Sequence, residues 1–272
     1  MADELEGLLL GKTTPVVDTY SPELLFPIPR SQGRAAIGVA TPLPFHGADI
    51  WHAYEVSWLN DRGVPQVRVG KFRIPGESPN LVESKSFKLY LNSLNSTRYA
   101  SEEAVCEVIV RDVSAAAGAR VYLELLGPDN HALAGTSLEG SCIDDSPIDV
   151  VAGEPDPTRL KVGQCVIEER LYSHLLRSLC PVTGQPDWAT VWIDYTGPTL
   201  DRTALLEYIV AYRNHQEFHE QCVERMFIDI LAHCRPQRLQ IQAFYTRRGG
   251  LDINPFRSTE AGAQPLPRLN RQ

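Results

Sequence analysis

The 272-residue sequence lacks the signals that direct a chain to a membrane, a secretion route or a nucleic acid. Its first residues, MADELEGLLLGKTTP, have neither the basic start nor the long apolar stretch of a secretion signal. No segment approaches the roughly eighteen uninterrupted apolar residues of a membrane-spanning helix. The formal net charge is -8, which does not favour broad attraction to nucleic acid or to an anionic membrane. We therefore expect a cytoplasmic protein that binds neither membrane nor nucleic acid directly.

Paired cysteines and glycine-rich nucleotide motifs are also missing. The six cysteines are scattered along the chain without a C-x-x-C pair, which favours free thiols over a disulfide framework or a zinc ribbon. No G-x-G-x-x-G follows a strand, and no G-x-x-x-x-G-K-[ST] occurs. Any dinucleotide must therefore bind without a Rossmann fingerprint.

What the sequence does contain is a globular composition and two well-marked helices. Hydrophobic residues make up 43% of the chain and charged residues 22%, and the length allows one large domain or two modest ones. The segment SEEAVCEVIVRDVSAAAG has Ser101 as an N-cap, Gly118 as a stop signal and one apolar stripe formed by Val105, Val108, Ile109 and Val113. The segment FHEQCVERMFIDILAHCRP has a similar apolar stripe and ends before Pro236. Strand-like stretches follow both, and the second, QRLQIQAFYT, alternates as a half-solvated strand should.

The spacing of these elements indicates an internal duplication. Identical residues recur 118 positions apart at Glu102/Glu220, Val105/Val223 and Arg120/Arg238, and 121 positions apart at Gly63/Gly184 and Pro65/Pro186. We therefore predict an α+β protein with two copies of one module, at residues 1–140 and 141–272, joined through a polar stretch at about 140 to 157.

The two copies differ where chemistry could occur. Cys180 aligns with Leu59 and His219 with Ser101, so the thiol and the imidazole belong to the second copy alone. In SLCPVTGQPDW, Cys180 and Asp187 stand at the two ends of a proline- and glycine-containing turn. A reactive thiol needs a basic or positive neighbour, and Asp187 could donate a proton. The ordinary alternative is a half-buried cysteine beside a surface loop.

The segment EFHEQC opens the second long helix and offers a further group of polar side chains. His219 and Glu220 are adjacent and diverge around the helix, whose N-terminus favours anions. His219 and Cys222 offer two zinc-ligand types on one face, but His233 and Cys234 lie too far along the helix to complete a site. We therefore predict no metal there; a capping or surface histidine is the plainer alternative.

Two basic segments could hold a phosphate-bearing ligand. In LVESKSFKLYLNS, Glu83 could bind a hydrogen-bond-donating ligand edge while Lys85 and Lys88 bind phosphate. The alternative is the solvated side of a strand that passes into a helix. In YTRRGGLDINP, two arginines precede the flexible Gly249–Gly250 pair, whose backbone can approach a ligand closely.

Together, ESKSFKLYLNS, SLCPVTGQPDWA, RNHQEFHEQC and YTRRGGLDINP resemble the signature segments of the NADPH-dependent 7-cyano-7-deazaguanine reductases, the nitrile reductases of queuosine biosynthesis. The segments run through both halves of the chain in the expected order. The resemblance implies the bimodular tunnelling fold, in which each module has an antiparallel sheet packed with helices on one face. It also implies NADPH as cofactor, a small 7-deazapurine nitrile as substrate and, from the usual assembly of this fold, a homodimer.

The resemblance further implies a role for each site residue. Cys180 would attack the nitrile carbon to form a thioimide, Asp187 would donate a proton, and His219 would assist catalysis. Two hydride transfers would then give an aminomethyl group. The implied substrate-binding residues are Glu83, Ser84, Lys85, His219 and Glu220, and the implied NADPH-binding residues are Lys85, Ser86, Arg248 and Gly249.

Other hypotheses stay open at this point. One is a metal-dependent cyclohydrolase of purines or pterins on the same fold, suggested by His219 and Cys222. Another is a purine-binding thiol sensor without turnover. The spacing of His219 and Cys222 also suggests that Cys180 and Cys222 form a reversible disulfide under oxidant. His219 and Asp187 are the candidate activators of the Cys180 thiolate.

Overall fold

The computed structural model describes residues 17–39, 41–149 and 153–272. The N-terminal segment without a secretion signal and part of the polar stretch near 150 lie outside these residues. The chain forms two compact units that are interleaved in sequence. Unit 1 contains the described part of Met1–Gln32, then Asp49–Leu133 and Arg247–Asp252; unit 2 contains the described parts of Gly33–Ala48, Ala134–Thr246 and Ile253–Gln272. The division into modules at residue 140 stays a prediction, since each unit takes in short segments from the other half.

The elements of the first half include five strands and three helices among the described residues. Strand β3 lies between β2 and β5, and β1 pairs with β4. The elements are β1 (Pro27–Pro29), α1 (Arg30–Ala36), β2 (His46–Leu59), β3 (Pro65–Pro75), β4 (Asn80–Val82), α2 (Ser84–Ser93), α3 (Glu102–Ala117) and β5 (Tyr122–Leu126).

Helix α3 forms where its sequence predicts it. The Ser101 hydroxyl accepts the backbone N–H of Ala104 at 3.2 Å, and Gly118 ends the helix with a φ of 70°. Both caps satisfy backbone groups that have no partner inside the helix. The buried residues Val105, Ile109 and Val113 form the predicted apolar stripe.

The second half of the chain supplies the sheet of unit 2. Its strand order is β10-β9-β8-β7-β6, with β7 and β8 forming one long antiparallel hairpin. The elements are β6 (Ser141–Cys142), β7 (Val162–Leu179), β8 (Pro186–Leu200), α4 (Arg202–Ala211), α5 (His219–Cys234), β9 (Arg238–Tyr245) and β10 (Leu251–Ser258). The α+β class with antiparallel sheets is therefore confirmed.

Side-chain alternation along β8 gives the sheet of unit 2 two different faces. Val191 and Ile193 pack with residues of α4 and α5 in the larger core cluster. Trp192 points the other way and packs with Phe256 and Leu269. Within unit 2 these two helices therefore cover one face of the sheet.

Strand β9 corrects one prediction. Its polar–apolar alternation predicted a half-solvated strand, yet six of its eight residues are buried because β9 is a central strand with both faces covered. The polar Gln242 is 1% exposed and is satisfied by Leu266, whose N–H it accepts at 2.7 Å and whose carbonyl it bonds at 3.2 Å. A glutamine whose side-chain amide is buried and hydrogen-bonded at both ends cannot be distinguished, from the sequence pattern alone, from a glutamine exposed to solvent.

The hairpin that precedes each long helix pair has the same construction in the two units. In unit 1, Leu59 forms a parallel bridge with Arg98; in unit 2, Leu179 forms one with Gln216. Gly63 and Gly184 adopt left-handed conformations, with φ of 79° and 66°. The matching contacts are what a duplicated module would produce, and they correct the predicted alignment of Cys180 with Leu59. The Asn60 N–H donates to the Val64 carbonyl at 3.0 Å and its carbonyl accepts from Gly63 at 2.8 Å, so Asn60 is the counterpart of Cys180 in a turn one residue shorter. No helix within the described residues has both the length and the apolar character needed to cross a membrane.

Candidate active site

The turn between β7 and β8 holds Cys180 and Asp187 close in sequence and fixed in conformation. The Cys180 N–H donates to the Gln185 carbonyl and the Gly184 N–H donates to the Cys180 carbonyl, both at 2.9 Å. The left-handed φ of Gly184 closes this turn, as the sequence indicated. Directly before it, the Leu179 N–H donates to the His215 carbonyl at 2.8 Å, which ties the hairpin to the loop that leads into α5.

Both reactive groups of the turn are shielded from solvent. Cys180 is 6% exposed and Asp187 is 7% exposed. A buried carboxylate needs a partner, because an isolated charge is costly away from water. His219 supplies one, since its Nε2 lies 3.2 Å from Asp187 Oδ2. The structure thus brings together the acid and the imidazole that were predicted from separate motifs.

The His219 ring is held by stacking on Tyr245. The two ring centroids are 3.6 Å apart and the planes differ by 9°. His219 Nδ1 is buried and has no hydrogen-bond partner among the described side chains and backbone. Its position at the first residue of α5 follows from the helix start after Phe218. The ring is therefore fixed in plane and direction before any ligand binds.

Tyr245 belongs to a buried polar cluster that the sequence did not reveal. Ser178, Cys222 and Tyr245 are each at most 1% exposed and lie against one another. Burial is the main cause that raises the pKa of the Cys222 thiol and of the Tyr245 hydroxyl. Cys180 and Cys222 are both free thiols, so the predicted disulfide between them stays a prediction. The one signal for Tyr245 was its place at the start of YTRRGG.

The segment around His215 is the second feature that sequence reasoning missed. His215 Nε2 lies 3.0 Å from Glu217, and Nδ1 is in close contact with Glu154. Glu217 also accepts from Arg225 and is 6% exposed. Burial lowers the pKa of His215, but the bonds with Glu217 and Glu154 outweigh it and leave the pKa raised. Next to His219, Glu220 is 4% exposed in the first turn of α5.

In unit 1, Glu83 is the N-cap of α2. Its carboxylate accepts the N–H of Lys85 at 2.9 Å and of Ser86 at 2.7 Å, and the residue is 2% exposed. The Ser86 hydroxyl is also engaged, because it donates to the Glu83 carbonyl at 2.7 Å and accepts from Phe26 N–H at 3.0 Å. Ser84 and Lys85 are half-buried. A carboxylate keeps acceptor capacity beyond two bonds, so Glu83 is both fixed and available.

The RRGG segment of unit 1 forms a tight turn. The Arg248 N–H donates to the Leu251 carbonyl at 2.8 Å, and Gly249 and Gly250 have φ of 61° and 80°. A Cβ on Gly250 would lie 2.5 Å from the Glu55 side chain, so the backbone runs unusually close to its neighbours. Close backbone approach beside cationic side chains is a general way to hold phosphate.

Arg247 is positioned by a network that the sequence did not indicate. Its guanidinium carbon lies 3.3 Å from the Tyr54 ring centroid, a cation–π contact. The Tyr54 hydroxyl donates to Asp252 at 2.5 Å, and His52 Nδ1 lies 2.7 Å from the same carboxylate. Lys88 pairs with Glu55 at 3.2 Å. Unit 1 therefore presents ordered cations beside a glycine turn.

Three metal-ligating side chains converge within the described residues at Cys142, Asp144 and His174, and not around His219 and Cys222. The cyclohydrolase hypothesis depended on the latter pair. In its place, unit 2 shows a buried thiol, carboxylate and imidazole, the residue set of an enzyme that works through cysteine.

Two family models and several curated relatives match this chain. Residues 16–125 match the family described as "Nitrile reductase, 7-cyano-7-deazaguanine-reductase N-term", and residues 186–264 match "QueF-like protein". The chain is 51% identical to the NADPH-dependent 7-cyano-7-deazaguanine reductase of Chromohalobacter salexigens, with 98% of each chain covered. It is 56% identical to the Azoarcus sp. enzyme of that name, with 94% of this chain and 92% of the relative covered. For the Burkholderia multivorans enzyme of that name, the identity is 53% and the covered shares are 95% and 94%.

A solved structure, the apo form of the archaeosine synthase QueF-Like, aligns with 38% of this chain and 99% of its own at 14% identity and a TM-score of 0.32. That likeness is too weak to carry an argument. The family models and the relatives are sufficient to assign the class, and they show that the chain is an oxidoreductase of the nitrile reductase class. It belongs to the family of NADPH-dependent 7-cyano-7-deazaguanine reductases.

Proposed function

We propose that this chain reduces the nitrile of 7-cyano-7-deazaguanine to an aminomethyl group at the expense of NADPH, in the queuosine tRNA-modification pathway. Relatives of that name at 51% to 56% identity over nearly the whole chain support the proposal. The observation that carries it is the buried Cys180 on one fixed turn with Asp187, whose carboxylate meets His219 at 3.2 Å.

The first step is addition of the Cys180 thiol across the nitrile. A sulfur–carbon bond forms, one bond of the carbon–nitrogen triple bond breaks, and the product is a thioimide. The thiol proton leaves to the Asp187–His219 pair, and the nitrile nitrogen takes up a proton from that pair. Covalent capture divides one difficult reduction into easier steps. Cys180 is buried, so an intermediate formed there is shielded from water. This matters because water would hydrolyse the imine that forms later.

The remaining steps need two hydrides, which NADPH supplies when bound. The first addition to the thioimide carbon lets the Cys180 sulfur leave and regenerates the thiol, and the second reduces the imine to the amine. Each nitrogen protonation again falls to the Asp187–His219 pair. Lys85, Ser86, Arg248 and Gly249 are the residues we propose to hold the cofactor. The glycine turn and the ordered cations of unit 1 suit its phosphates, with Ser86 contributing through its place in the first turn of α2.

We propose that buried carboxylates recognise the substrate. A guanine-like edge presents adjacent N–H groups, which a carboxylate accepts in pairs. Glu220 with His219 in unit 2, and Glu83 with Ser84 and Lys85 in unit 1, are the groups we assign to it. A base that lacks the N–H edge would leave acceptor capacity of these buried carboxylates unused, so it would be rejected strongly.

The test combines turnover with mass spectrometry. With 7-cyano-7-deazaguanine present, the wild-type protein should consume two NADPH per substrate, and Cys180→Ala should consume none. Without NADPH, the wild type should gain the mass of one substrate on Cys180. Turnover by Cys180→Ala would overturn the proposal. A covalent adduct without any turnover would instead support the thiol-sensor hypothesis.

We also propose that the chain acts as a cytoplasmic homodimer built from the modules at 1–140 and 141–272. The recurrence of one hairpin construction in both units supports the modular part. Light scattering coupled to size exclusion should give twice the mass of the 30.3 kDa chain, and a monomer mass would contradict the dimer.

A further inference from the structure

A second cluster of reactive side chains lies in unit 2 at the β6–β7 edge. Cys142 in β6, Asp144 just after it and His174 in β7 each offer one ligand atom, and these atoms lie within 4.8 Å of one another. Cys142 and His174 are exposed and Asp144 is half-buried. The proposed reduction uses none of these three residues.

The backbone places the three side chains together by a simple register. Strand β6 runs parallel to β7, with Cys142 opposite Tyr172, two residues before His174. Between Cys142 and Asp144, Ile143 is 2% exposed in the core, and its N–H donates to the Tyr172 carbonyl at 3.0 Å. Since neighbours of an inward residue on an extended segment point outward, anchoring Ile143 turns Cys142 and Asp144 to the same outer side.

Polar neighbours orient two of the ligands. His174 Nδ1 lies 2.9 Å from the hydroxyl of Thr190, which is 1% exposed. When that nitrogen donates to the hydroxyl, Nε2 keeps a lone pair that faces outward, the arrangement usual for metal-bound histidine. The Asp144 carboxylate accepts from the Ser173 hydroxyl at 2.6 Å and from the His174 N–H at 3.2 Å. It also meets the Cys142 thiol.

We propose that Cys142, Asp144 and His174 bind a zinc ion, with water as the fourth ligand. A thiolate, an imidazole and a carboxylate together suit a borderline cation such as Zn²⁺, whereas Mg²⁺ and Ca²⁺ select oxygen ligands alone. Tetrahedral ligand atoms at about 2.0 to 2.3 Å from zinc lie about 3.3 to 3.8 Å from one another. Here the separations run up to 4.8 Å, so the widest must shorten by roughly 1 Å. Two of the three are exposed, so they have room to do so. The ion would fasten the short β6 segment to β7.

Cobalt titration tests the proposal, because Co²⁺ replaces zinc and reports its ligands by absorption. The full-length wild type should bind one Co²⁺ with visible bands of a four-coordinate ion and a near-ultraviolet thiolate band, and Zn²⁺ should bleach both. Cys165→Ser, which removes an exposed cysteine outside the cluster, should behave as wild type. Cys142→Ser should lose the thiolate band, and His174→Ala should bind at least tenfold more weakly. Thr190→Val should weaken binding by about 10- to 100-fold through the lost orientation of His174.

The matching negative results are equally specific. A thiolate band that survives in Cys142→Ser, or one that disappears in Cys180→Ala instead, would place the cobalt on another thiol and overturn the proposal. Equilibrium dialysis of the wild type at micromolar zinc that recovers far less than one ion per chain would overturn it as well. Neither result bears on NADPH turnover, so this proposal and the proposed reduction fail independently.

Discussion

Tyr245 fixes the plane of the His219 imidazole through ring stacking rather than through a hydrogen bond. The Tyr245 hydroxyl is buried with Ser178 and Cys222. The contributions of the ring and of the hydroxyl can therefore be tested by different substitutions. At the scale of single residues, the contact that orients His219, the histidine proposed for proton transfer, is therefore an aromatic face.

Two substitutions at this position should differ in effect. Tyr245→Phe keeps the aromatic face and should retain kcat within a few-fold. Tyr245→Ala releases the ring and should lower kcat by about 10²-fold, because small displacements of catalytic groups are costly. NADPH oxidation measures both, and thermal unfolding checks that each variant is folded. Equal loss in the two variants would mean that the hydroxyl matters and the stacking does not.

At the scale of elements, α5 is held by charged contacts at Glu217, in the loop before the helix, and at Glu224, within the helix. Near its middle, Glu224 is 3% exposed and accepts from Arg34 at 2.8 Å and from Arg257 at 2.8 Å. Both guanidinium groups also lie over the Phe45 ring, at 5.5 and 5.4 Å. Two buried guanidinium groups, those of Arg34 and Arg257, thus share the one carboxylate of Glu224, and that charge stabilises both of them.

Removing the Glu224 charge should therefore destabilise unit 2 strongly. Glu224→Gln keeps the shape but removes the carboxylate charge that both guanidinium groups bind, and we expect a loss of about 3 kcal/mol in the free energy of unfolding. Urea denaturation measures it. Glu168→Gln is the matched control, since Glu168 also pairs with an arginine but is 69% exposed at its side chain, and it should change stability by less than about 1 kcal/mol. Similar values for both would contradict the role of burial.

The loop before α5 should make stability depend on pH. The raised pKa of His215 means that the folded state binds a proton more tightly than the unfolded chain, whose value is near 6.5. This contribution is fully present below that pH and is lost as the pH rises through the higher folded value. The stability difference between wild type and His215→Gln should therefore shrink as the pH rises from about 6 to 8. A difference that grows with pH would contradict the assigned pairing with Glu217 and Glu154.

At the scale of the whole molecule, the six thiols divide by burial. Cys142 and Cys165 are exposed, Cys106 is partly buried, and Cys180, Cys222 and Cys234 are buried. Burial raises the pKa of Cys234 to about 11 and that of Cys222 further still. The thiolate is the form that reacts with alkylating reagents. Burial and a raised pKa should therefore both slow the alkylation of Cys222 and Cys234.

Alkylation of the native protein should show this division directly. Peptide mapping after brief iodoacetamide treatment should find Cys142 and Cys165 modified and Cys222 and Cys234 intact, and denaturation should expose the latter two. Fast modification of Cys222 in the native state would contradict its position in the core.

Features that depend on neighbouring residues in the chain could be predicted from the sequence, whereas features that depend on distant ones could not. The caps of α3 and the turn from Cys180 to Asp187 follow from local sequence, and the duplicated spacing singled out Cys180 and His219. The stacking of His219 on Tyr245 joins residues from different elements, and no local pattern marks it. The burial of β9 likewise depends on which strands flank it, which a single strand's pattern does not encode.

The recurrence of the β7–β8 hairpin in unit 1 gives the molecule an internal reference. The hairpin of β2 and β3 has the same left-handed glycine and the same parallel bridge, which Leu59 makes in the place of Leu179. Asn60 stands where Cys180 does, Gln66 where Asp187 does and Ser101 where His219 does. The same backbone turn therefore occurs with and without the side chains that are proposed for the chemistry. The turn geometry does not itself require a thiol, so the first hairpin shows which features of the second serve the fold alone.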